Sequence, residues 1–120
     1  MSELDLGEVR EYLHKFAADR DWEQFHTPKN LAMALAAEAG ELLEVFQWLT
    51  PEQSTALTEE QSHSVADEIA DVLQYLIRLA DVLGVDLSIE VWRKLRENGE
   101  RYAAGEVKGS AEKRQKGSAP

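Results

Sequence analysis

The sequence contains no cysteine, few basic residues and no long apolar segment. Without cysteine, disulfide bonds and thiolate metal sites are excluded, and redox arguments do not restrict the compartment. The longest uninterrupted apolar run, residues 31–37, is far shorter than the roughly 20 residues that cross a bilayer. No apolar signal segment follows Met1, so we expect a cytoplasmic protein with no membrane partner.

The shortage of basic residues limits the partners further. Thirteen Lys and Arg residues stand against 23 Asp and Glu residues, which gives a formal net charge of −10. Such a charge repels nucleic acid polymers and anionic lipid, so we expect neither as a partner. A chain of 120 residues with 43% apolar and 30% charged residues is typical of one globular domain with a modest core.

The first half of the chain carries the signals of two helices. Apolar residues recur at helical spacing after a capping aspartate and predict a helix over about 6–19. Residues 20–26 lack a clear period and predict a loop or short turn. Thr27-Pro28 is an N-cap and N1 pair that begins a second helix, which ends near Trp48 or Leu49 because a proline follows shortly after.

Two further helices follow. The capping box Thr58-Glu-Glu-Gln61 begins a long helix that reaches Leu83, and Gly84 ends it. The apolar band of this helix is wider than a surface helix requires, so we expect one of its sides to be covered by another subunit. The last helix begins after Asp86 and runs to about Tyr102.

Together these segments predict an all-α domain of four or five helices over residues 1–103. Residues 104–120 are rich in Gly, Ser, Ala, Lys and Glu, and they predict a flexible polar tail or one that orders on binding.

Acidic residues interrupt the apolar faces of the second and third helices. Glu38 falls in the middle of one apolar face with Glu41 beside it, and the segment Glu38-Ala-Gly-Glu41-Leu-Leu returns thirty residues later as Glu68-Ile-Ala-Asp71-Val-Leu. Because burial of ionised carboxylates is costly, these pairs require a cation, a shared proton or a water-filled cleft. Two antiparallel helices would bring all four acids into one cleft.

A hard divalent cation, Mg²⁺ or Mn²⁺, is the ordinary partner of such a cluster. Mg²⁺ usually shares its coordination with substrate phosphates, so the cleft favours a nucleotide polyphosphate as ligand. One alternative is that the acids merely face solvent. A di-iron carboxylate site is another alternative, but it requires Glu-x-x-His steps that neither helix contains at the acids; His14 and His63 are more consistent with solvated positions.

Aromatic rings near the acids and hydrogen-bond donors on the last helix are further candidates for ligand binding. The rings lie before or along the two acid-bearing helices, at Trp22, His26, Trp48 and Tyr75. These rings could stack on a nucleobase, although core packing is an alternative for each of them. Lys94, Asn98 and Arg101 share one face of the last helix and could bind phosphate oxygens or simply face solvent.

Five segments carry a family resemblance. They are Asp21-Trp-Glu-Gln-Phe-His-Thr-Pro-Lys-Asn-Leu, Glu38-Ala-Gly-Glu41-Leu-x-Glu44, Phe46-Gln-Trp48, Asp67-Glu68-Ile-Ala-Asp71-Val-Leu-x-Tyr75 and Lys94-x-x-x-Asn98-x-x-Arg101-Tyr102. In combination they resemble the MazG-like all-α nucleoside triphosphate pyrophosphohydrolases, most closely the dCTP pyrophosphatase branch. The family's common proline after the tyrosine is replaced by Ala103, and the tail lacks the aromatic residue that usually follows its Gly-Ser step.

The resemblance implies a role for each set of residues. It implies that Mg²⁺ binds the catalytic acids Glu38, Glu41, Glu68 and Asp71. It also implies that the base and sugar contact Trp22, His26, Trp48 and Tyr75, and that the phosphates contact Lys94, Asn98, Arg101 and Tyr102. The implied reaction converts a nucleoside triphosphate, dCTP or a 5-modified dCTP, to its monophosphate and pyrophosphate. We expect a homodimer or, as the branch implies, a homotetramer, and Glu41 is our first candidate to hold or deprotonate the attacking water. A helical adaptor that binds nucleotide without turnover is the alternative.

Overall fold

A computed structural model describes residues 3–114 of the chain. Within them it contains six helices and no strand, which confirms the predicted all-α class. The helices are α1 (Leu6–Asp19), α2 (Pro28–Phe46), α3 (Pro51–Ser54), α4 (Glu59–Leu83), α5 (Leu87–Arg101) and α6 (Ala104–Val107), with a 3₁₀ turn at Glu23–Phe25 before α2. Four of the six helices are 14 residues or longer. They are the four helices that the sequence predicts.

Side-chain caps account for the positions at which these helices begin. The Asp5 carboxylate accepts a hydrogen bond from the backbone N–H of Glu8, and the Thr27 hydroxyl accepts one from Asn30. Thr58 begins α4 with a complete capping box. Gly84 ends α4 in the left-handed conformation at φ 71°, which costs glycine little because it lacks a Cβ.

The second helix ends slightly earlier than the sequence predicts. Its last residue is Phe46, whereas the prediction was Trp48 or Leu49. The backbone N–H of Leu49 donates to the carbonyl of Phe46 at 2.9 Å, so the last residues form a tighter turn instead of another helical step. The short helix α3 then begins at its own capping threonine, Thr50.

The chain divides into two compact units, one ending at Val85 and the other beginning at Asp86. In the first unit α4 packs against both α2 and α1. His26, just before α2, hydrogen bonds to Arg78 near the end of α4, whereas Glu44 near the end of α2 lines a groove with Ser64 near the start of α4. The helices α2 and α4 are therefore antiparallel, as predicted from the acid pairs.

The core of the first unit is small and lies where α1, α2 and α4 meet. Ala17, Leu31 and Ile77 are almost completely buried, and they come from these three helices. Several large apolar residues of α4 stay exposed instead, namely Ile69, Leu73, Leu76, Val82 and Leu83. The wide apolar band that the sequence predicts for this helix is thus only partly covered by its own chain.

The second unit contains α5 and the short helix α6. Helix α6 lies within the segment 104–120 that the sequence predicts to be a polar tail, and residues 115–120 of that segment lie outside the described residues. The proposed boundary at residue 103 stays a prediction. Among the helices that the structure describes, none is long and apolar enough to span a bilayer.

Candidate functional site: an acidic cluster beside an aromatic cavity

Three acids from two helices form a compact cluster. Glu38 and Glu41 lie one turn apart on α2, and Glu68 comes from α4 opposite them. One carboxylate oxygen of each residue lies within 4.8 Å of the other two. Glu41 is exposed, whereas Glu38 and Glu68 are partly buried. The antiparallel packing of α2 and α4 therefore brings together three of the four acids that the sequence predicts.

Two of these carboxylates have an unsatisfied oxygen. Oε2 of Glu38 and Oε2 of Glu68 are buried, and neither has a hydrogen-bond donor within reach among the described residues. A proton on Glu68 would supply a donor between them. This hydrogen bond with Glu38, together with burial and the charge of Glu41, raises the pKa of Glu68 to about 7. The cluster thus favours either a shared proton or a cation.

A divalent cation fits this cluster. Carboxylate oxygens are the ligands that Mg²⁺ and Mn²⁺ prefer, and two buried oxygens without donors are available for coordination. Asp71, the fourth predicted ligand, lies one turn beyond Glu68 on α4 but is not part of the group within 4.8 Å. It lines the adjacent cavity together with Glu38.

That cavity has a volume of about 220 Å³, and its lining contains the acids Glu38 and Asp71 and a set of rings. Its lining residues come from α1, α2, α4 and the turn before α2, and they are Leu13, Phe16, Trp22, His26, Leu31, Glu38, Asp71, Gln74, Tyr75 and Arg78. Carboxylates that can hold a cation, together with flat rings in the same lining, are suited to a ligand with a cation-binding polyanionic part and a planar part.

The rings Trp22 and His26 are held by the turn before α2. Asp21 adopts a left-handed φ of 54° shortly after α1, and the backbone N–H of Trp22 donates to the carbonyl of Ala17 at 2.9 Å. The Trp22 and His26 rings then meet edge to face with centroids 6.4 Å apart. Phe16 supports Trp22 in a second edge-to-face contact at 5.8 Å. The segment predicted as a loop thus places two of the predicted base-contacting rings in the cavity.

The sequence analysis missed Arg78, which lies among these rings. Its Nε donates to Nδ1 of His26 at 3.0 Å, and its Nη1 donates to Asp81 at 3.4 Å. Burial lowers the pKa of His26, and the positive charge of Arg78 lowers it further, against a smaller opposing effect of Glu23. The signal was a single base between the apolar neighbours Ile77 and Leu79, but its partner lies 52 residues away in sequence.

The two remaining predicted rings differ in their positions. Tyr75 lines the cavity one turn beyond Asp71. Trp48 is 86% exposed in the single chain and is not among the residues that line this cavity. Its predicted contact with a base therefore stays a prediction.

In the second unit two of the four predicted phosphate-binding side chains, Lys94 and Arg101, bind an acid that the sequence analysis overlooked. Lys94 donates to Glu97 at 3.2 Å, and Arg101 donates to the same carboxylate oxygen at 2.7 Å. Glu97 lies three residues after Lys94 and four before Arg101, a spacing that could have revealed the interaction. The Nε of Arg101 is buried and has no acceptor within reach among the described residues.

Tyr102 joins α5 to the segment after it. Its hydroxyl accepts a hydrogen bond from the backbone N–H of Arg114 at 2.9 Å, and this bond lowers the pKa of Tyr102. Arg114 also pairs with Glu106 of α6. Asn98 lies one turn before Tyr102, and its carbonyl accepts the N–H of that residue at 2.8 Å. The structure thus holds residues 102–114 together by polar contacts.

Comparisons with known proteins identify the family of this chain. A model of the MazG-like family matches residues 33–116. The dCTP pyrophosphatase 1 of Bos taurus is 42% identical over 112 residues, which are 92% of this chain and 66% of the bovine protein. The dCTP pyrophosphatase 1 of Homo sapiens is 41% identical over 113 residues, again with 92% and 66% coverage. The chain therefore spans just under two thirds of the length of these relatives.

A solved structure gives the same result at the level of the fold. A pyrophosphatase from Archaeoglobus fulgidus DSM 4304 aligns with a TM-score of 0.77 and is 37% identical, covering 85% of this chain and 95% of that one. The family match extends over more than half of the chain and includes all four predicted acids. The chain therefore belongs to the MazG-like family.

Proposed function

We propose that this protein is a Mg²⁺-dependent nucleoside triphosphate pyrophosphohydrolase that converts dCTP, or a 5-modified dCTP, to the monophosphate and pyrophosphate. The observation that carries this proposal is the cluster of Glu38, Glu41 and Glu68, of which Glu38 also lines the cavity that contains the rings. The names of the bovine and human relatives support dCTP as the substrate. A role in removing unwanted nucleotides from the pool would follow.

Glu38, Glu41 and Glu68 would hold the cation, and Asp71 would complete the set from the cavity side. A divalent cation there supplies charge neutralisation for the triphosphate and lowers the pKa of water. The oxygen of water attacks the α-phosphorus, the bond from that phosphorus to the bridging oxygen breaks, and pyrophosphate leaves. Glu41 is the exposed acid of the three, so we assign to it the orientation of this water and the acceptance of its proton.

The cavity would receive the nucleoside. Trp22 and Tyr75 offer ring faces to the base and sugar, and stacking on such rings contributes roughly 1–3 kcal/mol for each base. Trp48 is proposed to contribute a further ring, and its exposure in the single chain leaves it accessible. Lys94, Asn98, Arg101 and Tyr102 are proposed to bind the phosphates; for Lys94 and Arg101 this requires that phosphate oxygens compete with Glu97.

We further propose that the protein acts as a homodimer or homotetramer. The support is the row of exposed apolar residues on α4, because an exposed apolar face of this kind is typical of a protein–protein interface. The cytoplasmic location stays a prediction from the sequence.

A product screen tests the reaction. Purified protein is incubated with Mg²⁺ and each common or 5-modified dNTP and NTP, and pyrophosphate and monophosphate are measured separately. We expect equal amounts of the two products, with dCTP or its 5-modified form the best substrate. In ¹⁸O-labelled water the label should appear in the monophosphate, because the α-phosphorus is attacked. Nucleotide binding without any product would favour the helical adaptor instead.

A further inference from the structure

Arg78 is unusual among the charged residues of this protein because it is buried. Only 7% of its surface is exposed, and no other charged residue in the described range 3–114 is buried to this degree. Removal of a guanidinium from water is costly unless its N–H groups have partners. The partners of Arg78 therefore indicate which ligand groups the surrounding cavity can bind.

The contacts of Arg78 determine the tautomer of His26. An arginine can only donate, so the hydrogen bond from its Nε at 3.0 Å requires that Nδ1 of His26 is an acceptor. The imidazole is then neutral and carries its proton on Nε2. The lowered pKa of His26 agrees with this state. Asp81 accepts from Nη1 on the other side and holds the guanidinium in place.

Both side chains line the same cavity as the proposed base-binding rings. His26 has Nε2–H as its remaining polar group, and the guanidinium has further N–H donors beyond its bonds to His26 and Asp81. The pair is therefore rich in donors and contains no acceptor. Gln74, on the same helix one turn before Arg78, also lines the cavity and can act as donor or acceptor.

Building on the proposed function, we propose that Arg78 is a positioning and specificity residue, which fixes His26 as an Nε2–H donor and selects a pyrimidine with two adjacent acceptors. Cytosine presents O2 and N3 as adjacent acceptors. Thymine and uracil present a donor at N3 beside O2. One of the donors of Arg78 and His26 would then face the N3–H donor and would have no acceptor. A buried donor without a partner is a strong source of discrimination. The pair thus favours dCTP over dTTP and dUTP.

Substrate discrimination tests this proposal. Arg78→Met keeps an unbranched stem that matches arginine from Cβ to Nε, and it removes every donor. We expect KM for dCTP to rise with little change in kcat, so that the ratio of kcat/KM for dCTP to that for dTTP falls by roughly ten- to hundredfold. Arg78→Lys keeps the charge but lacks the planar fork, and it should lose the same preference. Arg10→Met, an exposed arginine on α1, is the matched control and should keep the wild-type ratio.

A second readout reports the tautomer directly. In ¹⁵N spectra of the imidazole groups, His26 of the wild type should show Nδ1 in the unprotonated range and Nε2 in the protonated range. Arg78→Met should shift this population, and the signal is assigned from its absence in His26→Gln. If Arg78 acts through His26, the two substitutions should not add. The double variant Arg78→Met/His26→Gln should then lose little more discrimination between dCTP and dTTP than either single variant.

The outcomes separate this proposal from the proposed function. Release of pyrophosphate by a wild type that does not prefer dCTP to dTTP would overturn the donor-pair proposal alone. The donor-pair proposal would also be overturned if folded Arg78→Met or Arg78→Lys kept the wild-type ratio of kcat/KM for dCTP to that for dTTP. It would be overturned as well if either variant lost turnover of dGTP but kept turnover of dCTP. If Arg78→Met does not fold, Arg78→Lys and the tautomer spectra decide. Absence of pyrophosphate from every nucleotide would instead refute the hydrolase.

Discussion

Replacement of Glu68 by glutamine should change how the stability of the cation-free protein depends on pH. The hydrogen bond with Glu38, burial and the charge of Glu41 raise the pKa of Glu68 from 4.5 to about 7 in the folded protein. Because the folded pKa lies above the unfolded one, the protonated form is favoured by folding. The stabilisation is fully present below pH 4.5 and is lost as the pH rises through about 7.

The size of the effect follows from these two pKa values. Folding should take up about 0.9 of a proton at Glu68 at pH 6 and about 0.1 at pH 8. The free energy of unfolding is measured by urea denaturation in EDTA at half-unit steps from pH 5 to pH 8. The free energy of unfolding is plotted against pH for each protein. The slope for the wild type, minus the slope for Glu68→Gln, should report the proton uptake at Glu68.

Glu11→Gln is the control for this experiment, because Glu11 is an exposed acid on α1 away from the cluster. It should keep the wild-type slope. His26, whose lowered pKa acts with the opposite sign, contributes equally to all three proteins and cancels in the difference. Parallel pH profiles for the wild type and Glu68→Gln would refute the shared-proton account of the acidic cluster.

Three further predictions concern the helix end, the apolar face and the cavity. Gly84→Ala should lower the free energy of unfolding by about 1 kcal/mol, because the residue at φ 71° would then carry a Cβ; unchanged urea stability would contradict this. Leu73→Glu should reduce the mass in light scattering from a multiple of 13.5 kDa to that of a monomer, and a wild type that is already an active monomer would refute the interface. Trp22→Ala should raise KM for dCTP roughly tenfold with kcat little changed, whereas an unchanged KM would remove Trp22 from the base site.

Most of the helical fold could be predicted because its signals are local. Thr58 and Gly84 mark both ends of α4 through interactions within four residues, and the predicted bounds agree with the structure. The end of α2 was predicted two or three residues late, since the turn at Phe46 depends on a backbone hydrogen bond that has no side-chain signature.

The acidic cluster was partly predictable for a similar reason. Glu38 and Glu68 lie within apolar stripes, so their burial could be deduced from helical periodicity before any contact was known. The distances of Glu41 and Asp71 from the other acids could not be deduced in this way, because they depend on the rotation of α2 against α4. The structure brings Glu41 into the compact group and leaves Asp71 on the cavity side.

Long-range polar contacts were beyond the sequence. The bond between Arg78 and His26 joins residues 52 positions apart, and periodicity indicates only that Arg78 falls within an apolar band. Glu97 is a different case, because its i,i+3 and i,i+4 relations to Lys94 and Arg101 are local. The sequence interpretation considered only the donors Lys94 and Arg101 and omitted Glu97, the acid between them.

Pyrophosphate release from dCTP, measured across Mg²⁺ concentrations for the wild type and Glu38→Gln, tests the central claim most directly. The claim is that the acids of α2 and α4 hold a divalent cation that hydrolysis requires. We expect release by the wild type only with Mg²⁺, and at least a hundredfold loss in Glu38→Gln, roughly the effect of removing one essential catalytic group. Circular dichroism should show that the variant keeps its helices. Full Mg²⁺-dependent activity in folded Glu38→Gln would contradict the account.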